Sequence, residues 1–204
     1  MREPVAVIHG RFQPLHVGHM EYLLAGKELC DVLLIGITNP DPWQMAPETS
    51  DHTRNQPQAN PCTYYERYLM VEVAMAESGV PRTAFRIVPF PHSFPERLGH
   101  YAPRSALYLL SIYDSWGDCK LSRFEDLGLR THVLWRRTSK VTSGARIRTL
   151  ISAGEPWESL VPPATARVIH ESGIDQRIRS SVVSPQQSGR HTAHSASSAT
   201  ESLQ

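Results

Sequence analysis

Apolar and polar positions alternate along the chain in short blocks whose spacing predicts strands and helices in turn. Val5-Ala6-Val7-Ile8-His9 is an apolar run that stops at Gly10, as a strand covered on both faces would. After a loop over residues 11–17, Met20, Leu23, Leu24 and Leu29 mark the buried side of a helix. Asp31 then leads into a second apolar run, Val32-Leu33-Leu34-Ile35-Gly36-Ile37. This strand–helix–strand order predicts a right-handed crossover and an α/β fold with a doubly wound parallel sheet. Thr63 and Glu66 have capping-box spacing and open a helix through Arg67, Met70, Val71 and Ala74. Phe85-Arg86-Ile87-Val88 predicts a third strand, residues 107–112 a fourth (a length that also permits a helix), and His132-Val133-Leu134-Trp135 a fifth. Short helices are predicted over residues 143–151 and, after Pro162-Pro163, around Val168-Ile169.

Two stretches lack this patterning. Residues 38–61 are polar and rich in Pro, Asn and Gln, a length of loop that compact domains keep for a use, and a lid is expected there. From about Ser180 the chain is Ser, Gln, Thr and Ala without an aromatic residue. A single domain over residues 1–179 is therefore expected, followed by a disordered Ser-rich tail over residues 180–204.

Composition narrows the class. A chain of 204 residues with 40% apolar content has the material for one α/β core. A net charge of +1 argues against bulk binding of nucleic acid or an anionic membrane, both of which need a basic excess. Cys30, Cys62 and Cys119 are odd in number and far apart, with no CxxC pair or metal spacing, which suits reduced thiols. The N-terminus lacks a signal-peptide layout and no apolar run is long enough to span a bilayer, so a cytoplasmic location is expected. Homo-oligomerisation is left open.

The candidate chemistry sits after the first strand, in Gly10-Arg11-Phe12-Gln13-Pro14-Leu15-His16-Val17-Gly18-His19. In an open α/β sheet the carboxyl end of a strand is where a ligand binds, and the following helix offers free N–H groups and its positive dipole end to an anion. Gly10 lets the backbone approach phosphate closely. His16 and His19, three apart at a helix start, can both donate to phosphate oxygens, and as imidazolium can offset charge on a leaving pyrophosphate. A zinc site from His9, His16 and His19 lacks a fourth ligand nearby and ranks far below the phosphate reading.

These residues resemble the HxGH signature of the nucleotidylyltransferase superfamily, whose fold is shared with class I aminoacyl-tRNA synthetases. The longer Gly10–His19 form is similar to that of archaeal-type nicotinamide-mononucleotide (NMN) adenylyltransferases. Thr142-Ser143-Gly144-Ala145-Arg146-Ile147-Arg148 resembles that family's SGTxIR motif, which binds the triphosphate from a second helix N-terminus. Thr63, Glu66 and Arg67 match its TxxER element, and residues 156–162 are similar to its C-terminal segment. The resemblance covers residues 5–179 and implies a Rossmann-like nucleotidylyltransferase fold, a nucleoside triphosphate (NTP) substrate and release of pyrophosphate. It assigns His16, His19 and Arg148 to catalysis, with His19 stabilising the transition state. Gly10, Arg11, Phe12, Ser143 and Gly144 join them around the nucleotide, Ser143 and Arg148 holding the β/γ-phosphates and Arg11 serving either the nucleotide or the acceptor. A Mg²⁺ ion is expected to bridge phosphate oxygens with few direct protein ligands, so no metal-ligand residue is assigned.

The departures bear on substrate. Ala145 stands where the family has Thr. Residues 89–101 lack the Trp that recognises the pyridine ring, and His92, Arg97 and His100 add cations there, favouring a small phosphonate or phosphate acceptor. Residues 113–118 replace the family's Ser-Gly-Asn segment. Asp114 or Asp118 is placed to accept from an exocyclic amine, and Trp116 to stack on a base, with solvated turn carboxylates and a core Trp as the equal alternative. Residues 37–42 resemble phosphonate cytidylyltransferases of antibiotic biosynthesis. The reading this favours is CTP with a phosphonoformate-like acceptor. The alternatives are ATP with NMN and, outside enzymes, a nucleotide sensor without turnover.

Overall fold

Each of the five apolar runs forms a strand in the computed structural model, which describes residues 2–39 and 56–183. The strands are β1 (Glu3–Gly10), β2 (Cys30–Thr38), β3 (Phe85–Phe90), β4 (Leu107–Ile112) and β5 (Arg130–Arg136). They form one parallel sheet in the order β3-β2-β1-β4-β5. The helices are α1 (Val17–Glu28), α2 (Tyr64–Glu77), α3 (Ser115–Asp126), α4 (Gly144–Ala153), α5 (Pro163–Glu171) and α6 (Ile174–Val183). Residues 107–112 are thus a strand, and Thr63 and Glu66 make the reciprocal capping box at the start of α2.

The period-2 alternation of the strands divides the core in two. Ala6 and Ile8 of β1 enter one cluster with Leu23 of α1, Met70 of α2, Ile147 of α4 and Ile169 of α5. Val7 enters the other with Tyr108, Leu110, Phe90, Leu98 and, from α3, Phe124. Both faces of the sheet are covered, as parallel strands require, and the fold is doubly wound.

Two helices have no counterpart in the sequence pattern. Of α3 only Gly117 and Phe124 are buried, and its first turn, Ser115-Trp116-Gly117-Asp118, reads as a turn. α6 contributes Ile174 and Ile178 to the core and runs to Val183, four residues past the expected end of the domain at Arg179. Residues 40–55 of the expected lid and residues 184–204 of the expected tail lie outside the described residues. Among the described residues no helix is long and apolar enough to cross a membrane.

The topology fixes where a ligand can sit. Strand order runs outward from β1 in both directions, through β2 to β3 on one side and through β4 to β5 on the other. The crevice at the carboxyl ends of β1 and β4 is the topological switch point. Arg67 of α2, almost fully buried, ties the loops at this edge together by donating to the carbonyls of Arg11 at 3.1 Å, Thr38 at 2.7 Å and Asn39 at 2.9 Å.

Candidate active site

The N-terminus of α1 is built around an unusual cap. His16 is the N-cap residue, and its Nδ1 accepts from the backbone N–H of His19 at 3.2 Å, the part normally played by Ser, Thr, Asp or Asn. With Nδ1 an acceptor, the proton of the neutral ring resides on Nε2. Gly18 leaves room for the ring to fold back, since a Cβ there would lie 3.3 Å from His16 Nδ1. The His16 and His19 rings stack with centroids 3.6 Å apart and planes 19° apart. Behind them Phe12, at φ 51 and fully buried, meets His19 edge-on at 5.0 Å. Gly10 is required beneath it, because a Cβ would come within 2.8 Å of the Phe12 ring. Phe12 therefore acts in the wall as a support for His19.

Burial sets the charge of these rings. It lowers the pKa of His16 to about 4, with Lys140 acting in the same direction. His19 is pushed well below its ordinary value by burial first, then by His16, Arg11 and Lys140. Before substrate binds, burial therefore favours the neutral form of both rings, and any imidazolium that offsets charge on a leaving pyrophosphate forms only with the polyanion in place.

Two more helix starts converge here. At α4, Ser143 is the N-cap and its Oγ accepts from the Arg146 N–H at 3.2 Å, which leaves its own O–H to donate. Gly144 seats α4 on the Gln13 carbonyl, where a Cβ would lie 2.4 Å from the oxygen. At α3, Asp114 is the N-cap, accepting from the Gly117 N–H at 3.0 Å and pairing with Lys140 at 3.6 Å. Asp114 thus lines the cavity with its carboxylate already engaged, whereas Asp118 is exposed and paired with Arg136. Trp116 is half-buried in the cavity wall, 5.6 Å from His92 and beneath Lys120 at 4.9 Å, so it belongs to neither core cluster.

The cavity so formed measures about 250 Å³. Of the residues expected from sequence it gathers Gly10, Arg11, Phe12, His16, His19, His92, Asp114, Trp116, Ser143 and Gly144. Three of the expected residues lie outside this lining. Arg97 and His100 are exposed and lie outside the wall, because Leu98 buries and anchors their 3-10 turn (Pro95–His100) and turns its neighbours outward. Arg148 shares the sheet edge with His16, but its guanidinium donates to the Gln13 carbonyl at 2.6 Å and is not part of the lining. The guanidinium facing the adjoining outer recess, which shares Lys140, Thr142 and Ser143 with the cavity, is that of Arg146.

Sequence reasoning missed Thr38, Ser111, Lys120 and Lys140, and gave His9 and Thr142 no part in the phosphate site, yet all six are in the wall. Thr38, Ser111, Lys120 and Lys140 come from four different segments, and no local motif announces them. Electrostatically the lining is one-sided: Arg11, Lys120 and Lys140 face a single carboxylate, Asp114, among the described residues. Buried polar side-chain atoms without a hydrogen bond are uncommon in native folds. Here His9 Nε2, His19 Nδ1, Thr38 Oγ1 and Thr142 Oγ1 are four such atoms, and all four residues line this cavity. Unsatisfied donors, three cations and three helix N-termini make a receptor for a polyanion.

Comparison with known proteins agrees with that chemistry. The cytidylyltransferase-like family model matches residues 7–89, from β1 to β3. The chain is 65% identical over 173 residues to the phosphonoformate cytidylyltransferase of Streptomyces viridochromogenes, covering 85% of this chain and 94% of that protein. It is 34% identical over 176 residues to the nicotinamide-nucleotide adenylyltransferase of Picrophilus torridus, covering 85% and 95%. Among solved structures it resembles a bifunctional NMN adenylyltransferase/ADP ribose pyrophosphatase of Francisella tularensis complexed with AMP and a manganese ion. The TM-score is 0.57 at 13% identity over 88% of this chain, a likeness of fold, and the chain spans about half (52%) of that larger protein. The chain belongs to the cytidylyltransferase-like family.

Proposed function

We propose that this nucleotidylyltransferase transfers CMP from CTP to a small phosphonate, with phosphonoformate as the acceptor. The observation that carries the reading is the convergence of the α1, α3 and α4 N-termini and three cations on one cavity. Near full-length likeness to a phosphonoformate cytidylyltransferase supports the choice of CTP and phosphonoformate. The absence of the pyridine-recognising Trp from residues 89–101 supports it over NMN.

A phosphonate oxygen attacks the α-phosphorus in line. The new O–P bond forms as the bond from the α-phosphorus to the bridging oxygen breaks, and pyrophosphate leaves with that electron pair. Such a step needs alignment and charge stabilisation and no covalent nucleophile. His16 Nε2–H and His19 donate to the phosphates, His19 carrying the transition-state role. Lys140, the Ser143 hydroxyl and the α4 N-terminus hold the β/γ-phosphates. Arg148 acts as a positioning residue that holds the Gln13 carbonyl, and with it the loop carrying His16.

The donor set also bears on Mg²⁺. Among the described residues the one carboxylate in the wall is Asp114, which is engaged in a helix cap and with Lys140. A Mg²⁺ ion would therefore be held here mainly through the bound triphosphate and would supply charge neutralisation to it. A cytoplasmic setting belongs to the same proposal, with Cys30, Cys62 and Cys119 unpaired.

The test is pyrophosphate release by the full chain with Mg²⁺, each of the four NTPs, and phosphonoformate or NMN. CTP with phosphonoformate is the pair expected to react. Turnover confined to ATP with NMN overturns the reading in favour of an adenylyltransferase, and tight NTP binding without turnover on any acceptor overturns it in favour of a sensor.

A further inference from the structure

Besides the stacked imidazoles, the cavity wall holds a second set of buried polar side chains. His9, the last side chain of β1 before Gly10, is 6% exposed, yet its Nε2 has no hydrogen-bond partner and the residue lines the cavity. Thr38, at the end of β2, repeats the pattern: it is 5% exposed with an unpartnered Oγ1 in the same wall. An arrangement of this kind costs stability unless a ligand completes it.

His9 is also held rigidly. Its ring lies flat on Phe90, with centroids 4.4 Å apart and planes 7° apart. Phe90 has its place because Gly36, the register partner of His9 on β2, lacks a Cβ that would fall 2.5 Å from the ring. The nearby charges separate into two groups. Lys120 and His92 act on His9, whereas His16, Arg11 and Lys140 act on His19. The cavity wall thus carries a cation acting on His9 as well as those acting on His19, and all of these residues line the same cavity.

We propose that His9 Nε2, the Thr38 hydroxyl and the Lys120 ammonium form the acceptor subsite, seating the carboxylate of a small phosphonocarboxylate while its phosphonate faces the stacked imidazoles. The inference rests on the nucleotidylyl-transfer reading of the same cavity. A set of donors with a cation suits an oxyanion. The Lys120 ammonium can only donate, which favours an oxyanion over an amine beside it. The geometry discriminates by chemistry: an acceptor without a second oxyanion leaves His9 and Thr38 unsatisfied.

The experiment compares phosphonoformate with methylphosphonate, which lacks the carboxylate, in wild type, His9→Ala, His9→Gln and Thr38→Val. Steady-state kinetics and calorimetric titration of the same acceptors onto the full chain are read together. Losing one donor to a charged group should raise KM and Kd for phosphonoformate about tenfold or more in His9→Ala. Methylphosphonate and CTP should shift less than about twofold on the same scale. His9→Gln, which keeps an amide donor near the position of Nε2, should recover part of the loss, and Thr38→Val should reproduce it without a size change. Equal losses for both acceptors overturn the subsite, and so does a rise confined to the KM of CTP. If wild type turns over no phosphonate, the CTP–phosphonate reading fails by itself. Calorimetry then still decides the subsite: phosphonoformate binding weakened by His9→Ala supports it, and unchanged binding overturns it.

Discussion

At the scale of single residues, His16 divides its work between two nitrogens. Nδ1 caps α1 and Nε2–H is left for the cavity, so fold and chemistry can be separated by substitution. Asn is a good N-cap that lacks the distal nitrogen. His16→Asn should therefore unfold in urea close to wild type, while His16→Ala loses about 1 kcal/mol with the cap. His19 carries no cap, and His19→Ala should lower kcat by about 10²–10³ with little change in CTP affinity. Urea midpoints and kcat on the three variants check this together. Equal midpoints for His16→Ala and His16→Asn would remove the capping role, and near-normal turnover of His19→Ala would remove that ring from catalysis.

At the scale of elements, the site depends on α4 sitting directly on the loop that follows β1. Gly144 touches the Gln13 carbonyl, and Arg148, one turn on, donates to the same oxygen. Gly144→Ala places a methyl group 2.4 Å from a backbone atom that has nowhere to go. A shift of α4 should cost about 1–3 kcal/mol and raise the KM for CTP, because Ser143 and the α4 N-terminus move together. A fully active Gly144→Ala of unchanged stability would show that this seat is slack. The same contact explains what could be read in the sequence. The Gly10–His19 loop and the Ser143–Arg148 block are local patterns in which capping, glycine clearance and paired imidazoles lie within a few residues, so both were legible. Their mutual placement was not: only the fold shows the Arg148 guanidinium on the Gln13 carbonyl. His9, Thr38, Ser111, Lys120 and Lys140 arrive from β1, β2, β4, α3 and the segment after β5, and only the register of the sheet brings them into one wall. Arg97 and His100 show the converse: their charges are legible in the sequence, but the buried Leu98 between them turns both outward in the fold.

At the scale of the whole molecule, three buried neutral imidazoles tie stability to pH. Burial holds His9, His16 and His19 below their ordinary pKa of 6.5, with His16 at about 4. Below pH 6.5 the unfolded chain takes up protons that the folded chain refuses, so stability is complete above that pH and falls as the medium is acidified towards pH 4. The loss is about 1.4 kcal/mol per imidazole for each pH unit in that window. The carboxylates act lower down: burial raises Glu66, but its bonds to Arg177 and to the Thr63 N–H leave its pKa below 4.5, so its contribution disappears only in stronger acid. Urea midpoints should therefore drop between pH 7.5 and 5.5, and a flat profile would show that these rings are not held neutral. A bound triphosphate reverses the sign at His16 and His19, because a polyanion favours the imidazolium that burial disfavours. The stabilisation given by Mg²⁺ and CTP should accordingly grow as pH falls across the same window, and His16→Asn should lose part of that growth while keeping its stability at pH 7.5.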